Sequence, residues 1–169
     1  MLRNIGPHYV IWGCATSLHI TPSVGRNLTL WDYAASEVLL TRRAAPYWDT
    51  GFVESAMPPL KLSTGDLLFF YDSVGYWAAG DGNGFQAGWA VLSGSDPTHV
   101  LARAEEPPLP FTLPWQQGVA PFACNVPNVT NWGGGHAIAG RKDDAFRVYY
   151  GGADAVVGSA VVTVSVDEA

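Results

Sequence analysis

An acidic residue at the end of an aromatic run is the first candidate for chemistry in this sequence. Phe146-Arg147-Val148-Tyr149-Tyr150 has the composition of a β-strand, and two glycines and Asp154 follow it. A carboxylate carried to a strand end can lie on a rim and bind hydroxyl groups of a ligand. An aspartate in a turn can instead bond to its own backbone, and the residues alone favour that second interpretation.

The histidines predict no metal site. His136 follows Gly133-Gly134-Gly135, which is typical of a flexible loop, and His8, His19 and His99 show no grouping at fixed spacing. The glycine run also lacks the strand-to-helix context of a nucleotide phosphate loop. We therefore expect neither a metal nor a cofactor.

Three similar units must position these residues. Each begins with an apolar run that ends in aromatics, at residues 9–12, 67–71 and 146–150. A second strand-like run follows each, at residues 15–20, 88–92 and 156–166. The runs are short, rich in β-branched and aromatic residues, and bounded by Gly, Asp and Ser. This recurrence fits a β-propeller with long connections and fits an antiparallel sandwich equally well.

The remaining chain reinforces a mainly β prediction. Val100–Ala102 has the pattern of a short strand, and Pro107, Pro108 and Pro110 prevent regular pairing after it. Trp31–Leu40 is the best helix candidate, and it is only moderately amphipathic. The 19 glycines and 12 prolines, against 14% charged residues, favour short strands and tight turns.

Composition limits the partners. The 169 residues are 48% hydrophobic, enough for one sizeable core, and we expect a single domain over residues 1–169. The formal net charge of −6 argues against nucleic acid or an anionic membrane as a partner. Cys14 and Cys124 are far apart, and two unrelated buried thiols are favoured over a disulfide. The sequence does not assign a compartment.

Four segments in register resemble glycoside hydrolase family 130. Pro58-Pro59-Leu60-Lys61 with residues 65–71 is similar to the Pro-Pro-Pro-[Ile/Leu]-Lys … Gly-x-Leu-Leu-x-x-Tyr segment of that family. Residues 88–103 resemble its Asp-Pro-x-x-[Val/Ile]-x-x-Arg stretch, residues 126–129 its Pro-Asn-Val motif and residues 149–154 its Tyr-Tyr-Gly-Ala-Ala-Asp segment. The order and spacing agree from about Trp48 to Val164.

This resemblance implies an all-β fold from the five-bladed β-propeller family, with about three blades in this chain. It implies cleavage of β-mannosidic bonds with inversion, by hydrolysis or by phosphorolysis. Family members carry an aspartate general acid in an Asp-Pro-Arg-type segment upstream of the proline-rich stretch, and this sequence has no such segment. We therefore expect a truncated enzyme, inactive alone, with an oligosaccharide or β-mannoside as ligand and inorganic phosphate as the possible co-substrate. The alternative is a non-catalytic carbohydrate-binding or interaction module.

The resemblance also implies roles for individual residues. With it, Asp154 is expected to contact a sugar, and Lys61 matches a lysine that helps to hold phosphate in phosphorylases. A solvated surface lysine is the equal alternative. Tyr71, Tyr150, Trp89 and Trp132 are candidates for stacking on sugar rings, although large aromatics are more often core residues.

Asp72 is the main departure from the family pattern. Many phosphorolytic members have a phosphate-contacting histidine after the tyrosine that matches Tyr71. A carboxylate there should repel phosphate and could activate a water, so Asp72 and Glu54 are the candidate catalytic bases. For each of them the favoured alternative is a loop carboxylate that pairs with an arginine or caps a turn. On this argument we expect hydrolysis that is indifferent to phosphate.

Overall fold

A computed structural model of the protein describes residues 8–74, 84–109, 112–119, 129–140 and 144–165. Its twelve strands are β1 Tyr9–Trp12, β2 Cys14–Ala15, β3 Ser17–Val24, β4 Asn27–Trp31, β5 Glu37–Thr41, β6 Phe52–Lys61, β7 Leu67–Val74, β8 Phe85–Leu92, β9 Val100–Arg103, β10 Thr130–Ala137, β11 Asp144–Gly152 and β12 Val156–Val164. One 3₁₀ turn (Tyr33–Ala35) and one short helix, α1 (Pro114–Gln117), complete the described elements. The all-β prediction is confirmed.

The strands form three antiparallel sheets. The first contains β1, β3, β4 and β5, the second has the order β2-β6-β7-β8-β9, and the third has the order β10-β11-β12. The central runs of the second and third units, in β7 and β11, occupy interior positions of different sheets, as the propeller interpretation requires. Among the described residues, no helix is long and apolar enough to cross a membrane.

The second sheet is the middle layer, and this explains the unbroken apolar run in β7. Phe69 and Tyr71 belong to a core shared with Leu18 and Ile20 of the first sheet. Leu68 and Phe70 belong to a second core, shared with the third sheet through residues that include Trp132, Phe146, Val148 and Tyr150. Because both faces are covered, the strand does not alternate between apolar and polar residues.

The chain passes from the first sheet to the second at Gly13. This residue has φ +123°, and a Cβ there would lie 2.8 Å from the carbonyl oxygen of Ser17. Ala15 follows with φ 115°, an unfavourable conformation for a residue with a side chain. The crossing places Cys14 directly beside β6.

Two local predictions are wrong. Trp31–Leu40 is not a helix, because it contains the end of β4, the 3₁₀ turn and most of β5. Gly133–Gly135 is not a flexible loop, because these glycines lie inside β10: Gly134 and Gly135 pair with Tyr149 and Val148 of β11, and Gly133 lies at the register shift. Pairing along β11 overrides the low strand propensity of glycine.

Candidate functional site

Two carboxyl groups lie side by side near one end of the second sheet. Glu54 of β6 pairs directly with Asp72 of β7, and the row continues to Cys14 of β2 on one side and Ala87 of β8 on the other. Residues directly opposite each other in antiparallel strands project from the same face, with Cα atoms about 4.5–5.5 Å apart. Two negative charges at this separation repel, so the charge of Glu54 disfavours ionisation of Asp72.

Asp72 is the member of the pair that stays neutral. Its side chain is 5% exposed, and its Oδ1 accepts a hydrogen bond of 3.0 Å from the backbone N–H of Trp132 in the third sheet. Burial raises the pKa of Asp72 to about 8, the charge of Glu54 adds to the increase, and the Trp132 hydrogen bond opposes it. Glu54 is only partly buried. At pH 7 the pair is therefore a neutral acid beside a more accessible carboxyl group.

The protonated state corrects the electrostatic expectation for Asp72. A carboxylate there was expected to repel phosphate, but a protonated group carries no charge and can donate a hydrogen bond to an anion. With a pKa of about 8, the repulsion applies only at alkaline pH. This position therefore gives no electrostatic reason to prefer water over phosphate at pH 7.

The row ends in an exposed thiol. Cys14 is free and exposed, so the expectation of a buried thiol is wrong for this residue, while Cys124 lies outside the described residues. Partial desolvation, with a further contribution from the charge of Glu54, raises the pKa of Cys14. The thiol form is accordingly favoured beside the carboxyl pair.

Asp154 lies at the same end of the molecule as Glu54 and Asp72. Asp154 lies two residues after Gly152, and Gly152 pairs with Thr130 of β10. Trp132, two residues further along β10, contacts Asp72. Ala153 and Asp154 both have positive φ, 50° and 53°, in the turn between β11 and β12, and Asp154 is exposed. This turn therefore presents a carboxylate on the rim.

Lys61 lies at the other end of the hairpin formed by β6 and β7. It pairs with Leu67, five residues along β7 from Asp72. At about 3.3 Å per residue this separates the two backbone positions by roughly 16 Å. The structure thus brings together Glu54, Asp72 and the turn of Asp154, and it leaves the exposed Lys61 apart from them.

The aromatic candidates are mainly core residues. Tyr71 has no exposed surface, and burial is the main reason that its pKa is raised. Tyr150 is buried against Trp115 and accepts a hydrogen bond from Gln116 at 3.3 Å, and Trp132 is also buried. Trp89 is partly buried and lines a cavity of about 540 Å³ between the second and third sheets. Trp132 also contributes to the lining of this cavity, while Tyr71 and Tyr150 are enclosed in the cores.

Sequence reasoning missed a buried ionic cluster around Asp49. Its carboxylate is fully buried, and it pairs with Arg43 at 2.7 Å and with Arg103 at 2.5 Å. The Tyr71 hydroxyl donates to the same carboxylate at 3.0 Å. Arg103 had been noted only as part of a family motif, and here it ties β9 to the core. Because these contacts lie in the first core, they organise the fold rather than the rim.

No group of histidine, cysteine and acidic side chains suited to a metal ion occurs within the part of the chain that the structure describes. His136 instead lies beside Tyr149 in a tilted ring contact of 5.9 Å.

Comparison with known proteins identifies relatives over part of the chain. The chain is 36% identical over 115 residues to the 1,2-β-oligomannan phosphorylase of Thermoanaerobacter sp. (strain X514), a match that covers 68% of this chain and 34% of that protein. The chain spans about a third of the length of the curated relatives it matches. No family model matches it.

Solved structures match nearly the whole chain. The β-1,2-mannobiose phosphorylase of Listeria innocua, in complex with β-1,2-mannobiose, aligns with a TM-score of 0.66 and 23% identity over 96% of this chain and 38% of that one. A structure from the GH130 family of mannoside phosphorylases, which contains hydrolases of β-1,2 mannosidic linkages, aligns with a TM-score of 0.69 and 23% identity over 92% and 42% of the two chains. At these identities the likeness shows the fold, so the three sheets are blades of the five-bladed β-propeller type.

Proposed function

Over the part that matches, this chain belongs to glycoside hydrolase family 130, and on that premise we propose that it forms one wall of a cleft that binds and cleaves β-mannosides. The observation that carries the proposal is the Glu54–Asp72 pair. A neutral carboxyl group beside a more exposed one is a recurrent arrangement in acid–base sites. Asp154 lies at the same end of the molecule and supplies a further acceptor for sugar hydroxyls.

The two carboxyl groups differ in burial, and we assign them different roles on that basis. Glu54 is partly exposed and orients the group that attacks the anomeric carbon. Asp72 is buried, receives the Trp132 N–H and donates its proton to an oxygen of the ligand. Because both side chains project from one face of one sheet, they lie on the same side of the bond to be cleaved. An inverting mechanism places its acid on the opposite side, so the leaving oxygen is protonated by a group outside this pair.

We propose phosphate as the attacking group at neutral pH. The neutral Asp72 does not repel an anion, and the relative with 36% identity is a phosphorylase. The reaction then transfers the mannosyl group to phosphate and releases mannose 1-phosphate. Lys61 is too far along the hairpin to contribute to the same contact in this structure.

Binding is the direct test. Calorimetry with β-1,2-mannobiose should detect binding by the 169-residue chain, and Glu54→Gln and Asp72→Asn should each weaken it about tenfold. Asp96→Asn is the matched control, because Asp96 is an accessible carboxylate that bonds only within its own turn, to Thr98. A folded chain that binds no mannoside would contradict the proposal.

Product analysis separates the two reactions. In any form of the protein that turns over, mannose 1-phosphate should appear in proportion to added phosphate, while free mannose released at a phosphate-independent rate would assign hydrolysis instead. A second candidate is a non-catalytic carbohydrate-binding module, which would use the same rim carboxyl groups without chemistry. It predicts binding of mannobiose that Glu54→Gln and Asp72→Asn weaken and Asp96→Asn leaves unchanged, with no product under either condition.

A further inference from the structure

Thr130 is buried without a hydrogen-bond partner. Its side chain has no exposed surface, and within the described ranges its Oγ1 has no hydrogen-bond partner. Leaving a hydroxyl buried and unpaired costs roughly 1–3 kcal/mol. Native structures seldom keep such a group unless a bound molecule satisfies it or function requires it.

The strand geometry turns the Thr130 side chain towards the second sheet, which carries the carboxyl pair. In β10 the side chains of Thr130 and Trp132 project from the same face, since they are two residues apart. The Trp132 indole points into the second sheet, where its Nε1–H donates to the carbonyl of Gly88 at 2.9 Å and its ring contacts Phe70. Thr130 therefore also faces the second sheet, and it lies towards the end of that sheet that carries Asp72.

Thr130 lies close to the residue of β10 that contacts Asp72. The backbone N–H of Trp132 touches the Asp72 carboxyl, and Thr130 precedes Trp132 by two residues, so its Cα lies about 7 Å from that of Trp132. Thr130 also pairs with Gly152, two residues before Asp154. Thr130 thus lies between the strand residue that contacts Asp72 and the pairing that leads into the turn of Asp154.

The other buried, unpaired polar atom has a different setting. Trp48 Nε1 lies in the first core, where the ring stacks on Tyr71 on the opposite face of the second sheet. Among the described residues, only Thr130 combines an unpaired buried polar atom with a position beside the carboxyl pair.

We propose that Thr130 is a ligand-binding residue whose hydroxyl forms a hydrogen bond with a hydroxyl group of the bound mannoside. This inference rests on the proposed function of the Glu54–Asp72 cleft. A threonine hydroxyl can donate and accept at once, so it suits a sugar hydroxyl that is held jointly with a carboxyl group. The cost of leaving the group unpaired is then recovered when the ligand binds.

The test measures thermal stability and ligand affinity, which should change in opposite directions. Thr130→Val keeps the shape and removes the hydroxyl, so the melting temperature should rise while the affinity for β-1,2-mannobiose, measured by calorimetry, falls about tenfold. Thr130→Ser retains the hydroxyl and should keep the affinity within about twofold of that of the unchanged chain. A merely structural threonine does not produce opposite changes in the two quantities.

Thr21→Val is the matched control. Thr21 is also a fully buried threonine in a strand, but its Oγ1 accepts from the Trp12 indole at 2.8 Å and donates to Ser36 at 2.9 Å. Its replacement should lower the melting temperature and leave affinity unchanged.

The outcomes are distinguishable. If the unchanged chain binds mannobiose and Thr130→Val binds equally well, or if Thr130→Val melts earlier, the role of Thr130 is overturned and the proposed function stands. If the folded, unchanged chain binds no mannobiose, both are overturned.

Discussion

Trp132 donates its backbone N–H to the buried carboxyl group of Asp72 across the boundary between the second and third sheets. Its indole N–H donates to the carbonyl of Gly88 in the same sheet as Asp72. One residue of the third sheet thereby fixes both the carboxyl group and the strand beside it. The ionisation of Asp72 should therefore report directly on how these two sheets pack.

The stability of the chain should fall as pH rises from about 4 to about 8. The folded pKa of Asp72, about 8, lies above the unfolded value near 3.9, so the folded state holds a proton that the unfolded state releases. The stabilisation is complete below about pH 4 and is lost as pH rises through 8. The slope should reach up to about 1.4 kcal/mol per pH unit.

Urea unfolding at several pH values measures this slope. Asp72→Asn should remove most of it. Glu54→Gln should reduce it by less, because the charge of Glu54 contributes less than burial to the raised pKa. Cys14 also faces Glu54 but titrates above the range. A slope unchanged in Asp72→Asn would show that another group is responsible.

Loss of the buried charge at Asp49 should be the most damaging single change. Asp49→Ala leaves Arg43 and Arg103 without their shared partner in the first core, which should cost roughly 3–5 kcal/mol in the free energy of unfolding. Asp96→Ala, which removes bonds within one accessible turn, should cost about 1 kcal/mol. Equal effects for the two variants would contradict a structural role for the cluster.

Gly88 should not tolerate a methyl group. A Cβ there would lie 2.7 Å from atoms of both the Trp48 and Tyr71 rings, so Gly88→Ala should destabilise the protein by roughly 1–3 kcal/mol. Gly134→Ala is the control, because a Cβ at that strand glycine has nothing within 4 Å. Thermal unfolding of the pair measures the difference, and a neutral Gly88→Ala would imply that the two rings can move apart.

The open edge of the third sheet should cause self-association. Within the described residues β12 pairs only with β11, it contains no charged residue, and Val157 and Val161 are 79% and 48% exposed. Such edges are templates for pairing with another chain. Val157→Lys and Val161→Lys should shift the mass measured by light scattering towards the monomer, while Val24→Lys, at an exposed site at the end of β3, should not.

The sequence predicted the parts of the fold that depend on local pattern. Leu67–Tyr71 and Phe146–Tyr150 form strands because their apolar and aromatic residues fit the interior of a sheet. The pairing of Glu54 with Asp72 was not visible as a contact, because it depends on the register of β6, which is shifted around Met57. The same shift helps to set how far Lys61 lies from the pair.

What the sequence could not supply was the effect of burial. Asp72 was expected to be charged because a lone carboxyl group in water is charged, and only packing against the third sheet raises its pKa. Likewise, no local signal joins Asp49 to Arg103, which lie 54 residues apart. A weak signal for the cluster existed in the neighbouring Trp48, a large apolar residue that is buried here, because an acid beside a buried residue needs a partner.

The arginine cluster also bears on how the chain is made. The Arg43 guanidinium donates to the carbonyl of Ala104, and the Arg103 guanidinium donates to the carbonyl of Thr41, so each arginine bonds the backbone beside the other. These bonds span 61 and 62 residues. During synthesis Asp49 can pair early with Arg43, but its contact with Arg103 and both long-range backbone bonds become available only once residues 103 and 104 have been made.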